Sequence, residues 1–459
     1  MQTFSVALRL TSTRGLGESL SISLSISPAR KVAFELLLEL RRKPQLHSDV
    51  LLRSKRVEAL STLDKSLTTT LVMGVLRWQL VLQQRIREAL TKSRSHLADP
   101  VQVSLELGAL QLLLLDRIPA HAAIFESVEL VKQSGNQYAV GLANAVLRKL
   151  AQGPKLQDSD APAAHPAWMV ERWVAAYGRE TADAICRYDQ LPPPTTIRQQ
   201  AEFLQLEEGA FVVSAKRVIS GEVKAGVRIQ DEGSQLIAEL AGRGKEILDC
   251  CAAPGGKTAI LAERNPSASI TACDISPARL KTMQKNFPGL GIHFRVLDAT
   301  QLPFEKQFDL VLCDAPCSGT GTLARNPEIR HRLTVDDLAR HHERQVSLLR
   351  SAMRALREGG RVIYSTCSLE AEENENVVAE ALAQEKGFRL LPWGDQLKSL
   401  EREGVLHAGT AERLSPGDFL RTFPGLYPGD GFFAACLVRD WYAAPCNLQT
   451  VSGWPRSRF

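Results

Sequence analysis

Apolar residues recur every three or four positions through "ARKVAFELLLELRR", "LTTTLVMGVLRWQLVLQQRIREAL", "PVQVSLELGALQLLLLDRI" and "AHAAIFESVELVKQ". No β-type alternation interrupts them, so residues 28–150 are predicted to be helical throughout, closing with the short amphipathic "GLANAVLRKL". "AQGPKLQDSDAPAAHP" then breaks the period with Gly, Pro and small polar residues, which predicts an interdomain linker over 151–165. Residues 166–230 read as a small α+β connecting subdomain, with "AWMVERWVAAYG" and "ETADAICRYDQ" as helices ahead of "LPPPTTIRQQ". From 231 to 442 short apolar runs alternate with helical ones: "EILDCC", "SITACD", "IHFRVLD", "FDLVLCD", "GRVIYSTC" and "GFFAACLVR". That alternation predicts an α/β domain, a mainly parallel sheet covered by helices whose ligands bind beyond the carboxyl ends of the strands. Residues 1–27 are expected to be a disordered leader and 443–459 a C-terminal tail.

At 459 residues the chain can hold two or three domains, each with its own core. No apolar run reaches the roughly 18 residues of a membrane span. The leader has Arg9, Arg14, many serines and no acid before Glu18, a composition shared with organellar transit peptides. It reads first as an unstructured leader, or as a start site placed too far upstream. Nine scattered cysteines make an odd number without a framework, which predicts free thiols in a reducing cytoplasm. Their spacing also offers no zinc ligand set, so no metal is expected.

The net charge of +5 is unevenly spread: residues 1–150 carry 20 Lys+Arg against 12 Asp+Glu, or +8, and the remainder 36 against 39, or −3. The excess clusters at Arg30, Lys31, Arg41, Arg42, Lys43, Arg53, Lys55 and Arg56. A solvated helix face explains such a run most simply. Nucleic acid, with Arg30, Arg41 and Arg42 as contacts, becomes the better reading if the second domain handles nucleic acid as well.

"ILDCCAAPGGKTAIL" is a strand, a Gly-Gly turn and a helix start, where free N–H groups can meet a ligand. It is not a phosphate loop, because the glycine required at 251 is a cysteine, and it is not G-x-G-x-x-G. The next three strands end at Asp274, Asp298 and Asp314. Acids in register after such a turn favour a nucleoside ligand without a polyphosphate. S-adenosylmethionine fits, because carboxylates suit its cationic sulfonium.

Two strands lead to cysteines, the one ending at Asp314 through "LCDAPCSGTG" to Cys317 and a further one through "IYSTCSLE" to Cys367. Both thiols sit among small, polar or turn-forming residues, where a core would place apolar ones. Carbon 5 of a pyrimidine is a poor nucleophile until a thiolate adds to carbon 6, and the product must later be released. Two thiols and Asp314 at the strand ends supply that chemistry. Cys250, Cys273, Cys313 and Cys436 lie in apolar text and read as buried fillers, as does Cys251 by its setting alone.

Together "DAPCSGTGTLARNPEIR", "YSTCSLEAEENENVV", "LDCCAAPGGKT" and "DGFFAACLVR" resemble the RNA cytosine carbon-5 methyltransferase family. "LVMGVLR", "LLLLDRIPAHAAIFESVELVK" and "GLANAVLRKL" resemble the NusB-like RNA-binding domain, a pairing found in bacterial enzymes acting on small-subunit (16S) rRNA. The resemblance spans about 28 to 440. It implies a Rossmann-like methyltransferase domain with a seven-stranded sheet behind an all-α NusB-like domain. It implies Cys367 as the nucleophile, Cys317 as the release group and Asp314 on the cytosine. Cys251, Ala252, Ala253, Pro254, Gly255, Gly256 and Lys257 would line the S-adenosylmethionine pocket, with Asp274 on the ribose and Asp298 near the adenine. Arg325 and Arg330 would lie near RNA phosphates. The family's Arg-x-Asn strand appears here as "TIRQQ", with Arg198 but Gln200. "LELGALQLLLL" lacks the tyrosine and arginine usual in that helix. The expected function is methylation of 16S rRNA by a cytoplasmic monomer, the alternatives being a tRNA substrate or a non-catalytic RNA-binding factor of the antitermination type.

Overall fold

Proline at the first turn and a serine cap open the helices of the N-terminal half in the computed structural model, which describes residues 26–43, 45–90, 97–224, 226–414 and 417–441. The expected tail and all but the last two residues of the expected leader lie outside these. Helices Pro28–Arg42, Thr62–Ala89, Asp99–Leu114, Ala120–Gln133 and Val140–Ala151 build one helical core. Ser61 caps the second, accepting the Asp64 N–H at 3.2 Å. Asp99–Leu114 is buried on nearly every side, as a central bundle helix must be, which is why its sequence is apolar almost all round.

That central helix corrects two expectations. Arg41 donates to both oxygens of the fully buried Glu106, at 2.6 and 2.7 Å. Arg30 is itself buried, donating to Gln111 at 2.6 Å and pairing with Glu126 at 3.0 Å. Neither guanidinium is free to meet a phosphate, because each neutralises or satisfies a polar group that burial would otherwise leave costly. Arg42 is exposed.

The segment expected as a linker is packed. Leu156, Ala161, Ala164 and His165 are buried, and the Leu156 N–H bonds the Leu113 carbonyl at 3.2 Å. Its Gly and Pro mark a change of direction. Helices Ala167–Tyr177 and Arg179–Tyr188 add Met169, Trp173 and Ile185 to the same helical core.

A small antiparallel sheet follows, β1 (Thr196–Arg198), β2 (Gln205–Glu208) and β3 (Ala215–Ser220) in the order β1-β3-β2. Arg198 of β1 is buried and reaches Glu239 at 2.9 Å and Glu263 at 2.7 Å, fastening this sheet to helices Glu232–Ala241 and Gly256–Arg264.

The main sheet contains β4 (Glu246–Asp249), β5 (Ser269–Asp274), β6 (Ile292–Val296), β7 (Phe308–Asp314), β8 (Leu356–Thr366), β9 (Phe388–Leu390), β10 (Phe419–Thr422) and β11 (Phe432–Arg439). The order is β10-β11-β8-β7-β4-β5-β6, with β4 to β8 parallel and β11 antiparallel to β8. Short β9 pairs with β11 and makes an eighth strand where seven were expected. Both faces are buried, so β7 carries no polar alternation: Leu310 and Leu312 face one core, Val311 and Cys313 the other. The order reverses between β4 and β7, and the loops that leave β4, β7 and β8 surround that crevice.

Candidate active site

A cavity of about 430 Å³ opens at the carboxyl ends of these strands. Cys251, Ala253, Asp274, Asp298, Asp314, Cys317 and Cys367 line it, together with Ile275, Arg279, Leu297, Arg344 and Leu348. Thus chain separations of up to 116 residues collapse into one pocket because parallel strands end on the same side.

Gly255 caps helix Gly256–Arg264 with φ of +106°. A Cβ there would lie 2.7 Å from Met283 and Phe287. Gly255→Ala should therefore strain the loop on both counts, and weaken S-adenosylmethionine binding by about tenfold for each 1.4 kcal/mol of distortion. Isothermal titration checks this, and unchanged affinity would show that the loop does not shape the pocket. Ala252, Pro254, Gly255, Gly256 and Lys257 do not line the cavity, contrary to the expectation for the whole loop. Ala252 is buried, its N–H bonded to the Cys273 carbonyl at 2.8 Å, while Pro254 and Gly256 face a separate cavity beside Arg198 and Phe287.

Asp274 accepts the Ser276 N–H at 2.8 Å and faces Arg279 at 3.4 Å. Arg279 also donates to the Ala253 carbonyl at 2.5 Å, so it joins the loops after β4 and β5. Asp298 accepts the Thr300 N–H at 3.0 Å and its hydroxyl at 2.8 Å, and these bonds hold its carboxyl below the usual range. Ile275 is 54 % exposed, and with Leu297 and Leu348 it gives apolar surface beside the acids. Acids for hydroxyls and a sulfonium, apolar walls for a base and no phosphate cradle fit S-adenosylmethionine.

The third acid of the cavity, Asp314 of β7, lies opposite Ser365 of β8 in the parallel register. Ser365 donates to it at 2.7 Å and Lys257 at 2.6 Å. Burial alone would lower the Lys257 ammonium, but the charge and hydrogen bond of Asp314 outweigh it, with a further contribution from Cys367, and hold it above the ordinary lysine range. Lys257 therefore sits behind Asp314, at the end of the cavity that Cys317 and Cys367 line.

Cys317 and Cys367 meet with their sulfurs 3.4 Å apart, both half-buried. The hydrogen bond with Cys367, then burial, push the Cys317 thiol well above its usual range, and the charge of Glu373 adds to this. Two thiols in contact do not both ionise readily.

Two arginines expected near RNA phosphates are used inside the fold. Arg330 is 1 % exposed and donates to the carbonyls of Arg77 at 3.0 Å and Ala164 at 3.2 Å, burial pulling its pKa down to about 10. Arg325 bonds Asp430 and Asp231, each at 2.8 Å, and the Pro194 carbonyl at 3.1 Å. Both come from the segment after Cys317 and secure it to other elements. The loops after β7 and β8 also insert Leu323 and Leu369 into the helical core. Missed in the sequence were Arg279, Arg344 and the buried Glu373; only the position of Arg279, one turn into the helix after Asp274, offered a signal.

Known proteins share this arrangement. The family profile described as "16S rRNA methyltransferase RsmB/F" matches residues 239–438, the NusB family matches 27–152, and the ferredoxin-like domain of RsmF/B-like methyltransferases matches 165–208. Ribosomal RNA small subunit methyltransferase B of Pseudomonas syringae pv. tomato is 33 % identical over 80 % of this chain and 89 % of its own length. The protein of that name from Serratia proteamaculans is 31 % identical over 83 % of this chain and 92 % of its own. The crystal structure of PH0851 shares the fold, with a TM-score of 0.71 at 22 % identity, covering 92 % of this chain and 100 % of that one. With the relatives aligned across nearly their whole length, the chain belongs to the 16S rRNA methyltransferase RsmB/F family.

Proposed function

We propose that this chain transfers a methyl group from S-adenosylmethionine to carbon 5 of a cytosine in 16S rRNA through a covalent bond between Cys367 and carbon 6. The observation that carries the reading is the pair of sulfurs 3.4 Å apart beside the Lys257–Asp314 pair. The enzyme acts as a cytoplasmic monomer on RNA, and among the described residues no helix is long and apolar enough to cross a membrane. S-adenosylmethionine, held by Asp274 and Asp298 along the cavity, supplies an electrophilic methyl group when bound.

The chain's residues do the rest. The Cys367 thiolate adds to carbon 6, and the carbon 5–carbon 6 π electrons become available at carbon 5. Asp314, fixed by Ser365 and Lys257, faces the cytosine edge as an acceptor, and the Lys257 ammonium beside it offsets the negative charge that develops on the ring. Once carbon 5 holds both methyl and hydrogen, its proton leaves to water and the freed pair rebuilds the double bond. The carbon 6–sulfur bond breaks with its electrons on Cys367, and the Cys317 S–H donates to the departing thiolate. A base within a stem must first leave its stack to reach the thiols, so an extruded or loop cytosine is required.

Cys317→Ala tests this directly. With 16S rRNA and S-adenosylmethionine it should accumulate a denaturation-resistant RNA adduct. Trapping by Cys367→Ala instead would exchange the two roles. No trapping, with methylation unimpaired, would overturn the covalent reading. Methylation of tRNA transcripts in preference to naked 16S rRNA would overturn the substrate.

A further inference from the structure

Each of the two reactive cysteines is followed directly by a serine, Ser318 after Cys317 and Ser368 after Cys367. Their hydroxyls lie 3.2 Å apart and both donate to one oxygen of Glu373, Ser368 at 2.5 Å and Ser318 closer still. The other Glu373 oxygen accepts the Ser318 N–H at 2.8 Å and Gln345 Nε2 at 3.1 Å. Gln345 Nε2 also donates to the Pro316 carbonyl at 2.9 Å, one residue before Cys317.

Glu373 and Gln345 are wholly buried, and no lysine or arginine pairs with Glu373 among the described residues. A buried carboxylate without a cation is costly unless donors surround it. Here every donor comes from the two cysteine loops or from the helix Val335–Ala355 beneath them. The carboxylate is therefore satisfied only while both loops hold their present spacing. Tyr364 adds a clamp from β8, its hydroxyl donating to the Glu373 carbonyl at 2.6 Å.

We infer that Glu373 is a positioning residue for the release step: it braces the Cys317 and Cys367 loops through the serine after each thiol and so sets the sulfur–sulfur contact. This rests on the covalent reading above. In the release step Cys317 must meet the sulfur of Cys367 as the carbon 6–sulfur bond breaks. A displacement of about 1 Å at reacting groups can cost on the order of a hundredfold in rate.

Glu373→Gln keeps the shape but turns one acceptor into a donor facing hydroxyls that already donate. Assayed with 16S rRNA and S-adenosylmethionine beside Cys317→Ala, it should lower kcat about tenfold to a hundredfold. KM for RNA should be unchanged, and a denaturation-resistant adduct should accumulate as it does in Cys317→Ala. A merely structural role would reduce the folded, active fraction without raising the adduct per folded molecule. If Cys317→Ala traps RNA and folded Glu373→Gln does not, the brace is not what sets release, and the inference falls. If Cys317→Ala itself fails to trap, the covalent reading falls and takes the brace with it. Should Glu373→Gln not fold, the Ser318→Ala/Ser368→Ala double variant decides by the same adduct measurement: accumulation supports the brace and its absence overturns it.

Discussion

Cys367→Ala is expected to reduce methylation of 16S rRNA by roughly 10⁴-fold or more, the scale on which removal of a covalent nucleophile acts. On the proposed mechanism the Cys367 thiolate is the group that makes carbon 5 nucleophilic. The Lys257–Asp314 pair would polarise the ring without forming a bond to carbon 6. S-adenosylmethionine affinity and the melting midpoint should stay near wild type, because Cys367 is half-buried at the rim and loses little packing. Incorporation of labelled methyl, read alongside titration and a thermal melt, checks all three. Residual activity within tenfold of wild type would mean that carbon 6 is attacked by another group.

Gly321→Ala should be among the more damaging small changes in the structure. A Cβ there would lie 2.4 Å from the Gly431 carbonyl oxygen and 2.9 Å from that of Cys367. Both obstacles are backbone and cannot rotate aside. The same glycine donates to the Cys367 carbonyl at 2.9 Å and accepts from the Gly431 N–H at 2.7 Å, so relief of the clash breaks the bonds tying the Cys317 loop to the Cys367 loop and to Gly431. A cost of about 3 kcal/mol, at the upper end for overpacking, is expected in denaturant unfolding. Activity should fall further than the folded fraction, since the thiols lose their contact. A wild-type unfolding midpoint with full activity would show that the loops can part without consequence.

The cysteine pair was legible in the sequence because its signal is local. A thiol directly after an apolar run, among Pro, Ser, Gly and Thr, has no packing reason to be there. The acids at 274, 298 and 314 were legible for the same reason, two closing a strand and Asp298 lying two residues past one. Charges elsewhere misled. Arg30 and Arg330 sit in text that reads as surface, yet one pairs with Glu126 and the other lies under three segments of the chain. In "EAEENEN" Glu370 and Glu373 are buried, while Glu372 bonds Arg172.

Period, turn chemistry and strand-end residues thus sufficed for the order of helices and strands and for the two thiols beyond the strand ends, because each is written in neighbouring residues. The helical core beneath the cysteine loops, the inward turn of the arginines and the brace at Glu373 came only with the tertiary structure. Whether a charge meets water or a buried partner depends on which distant element packs over it, and a linear pattern carries no term for that.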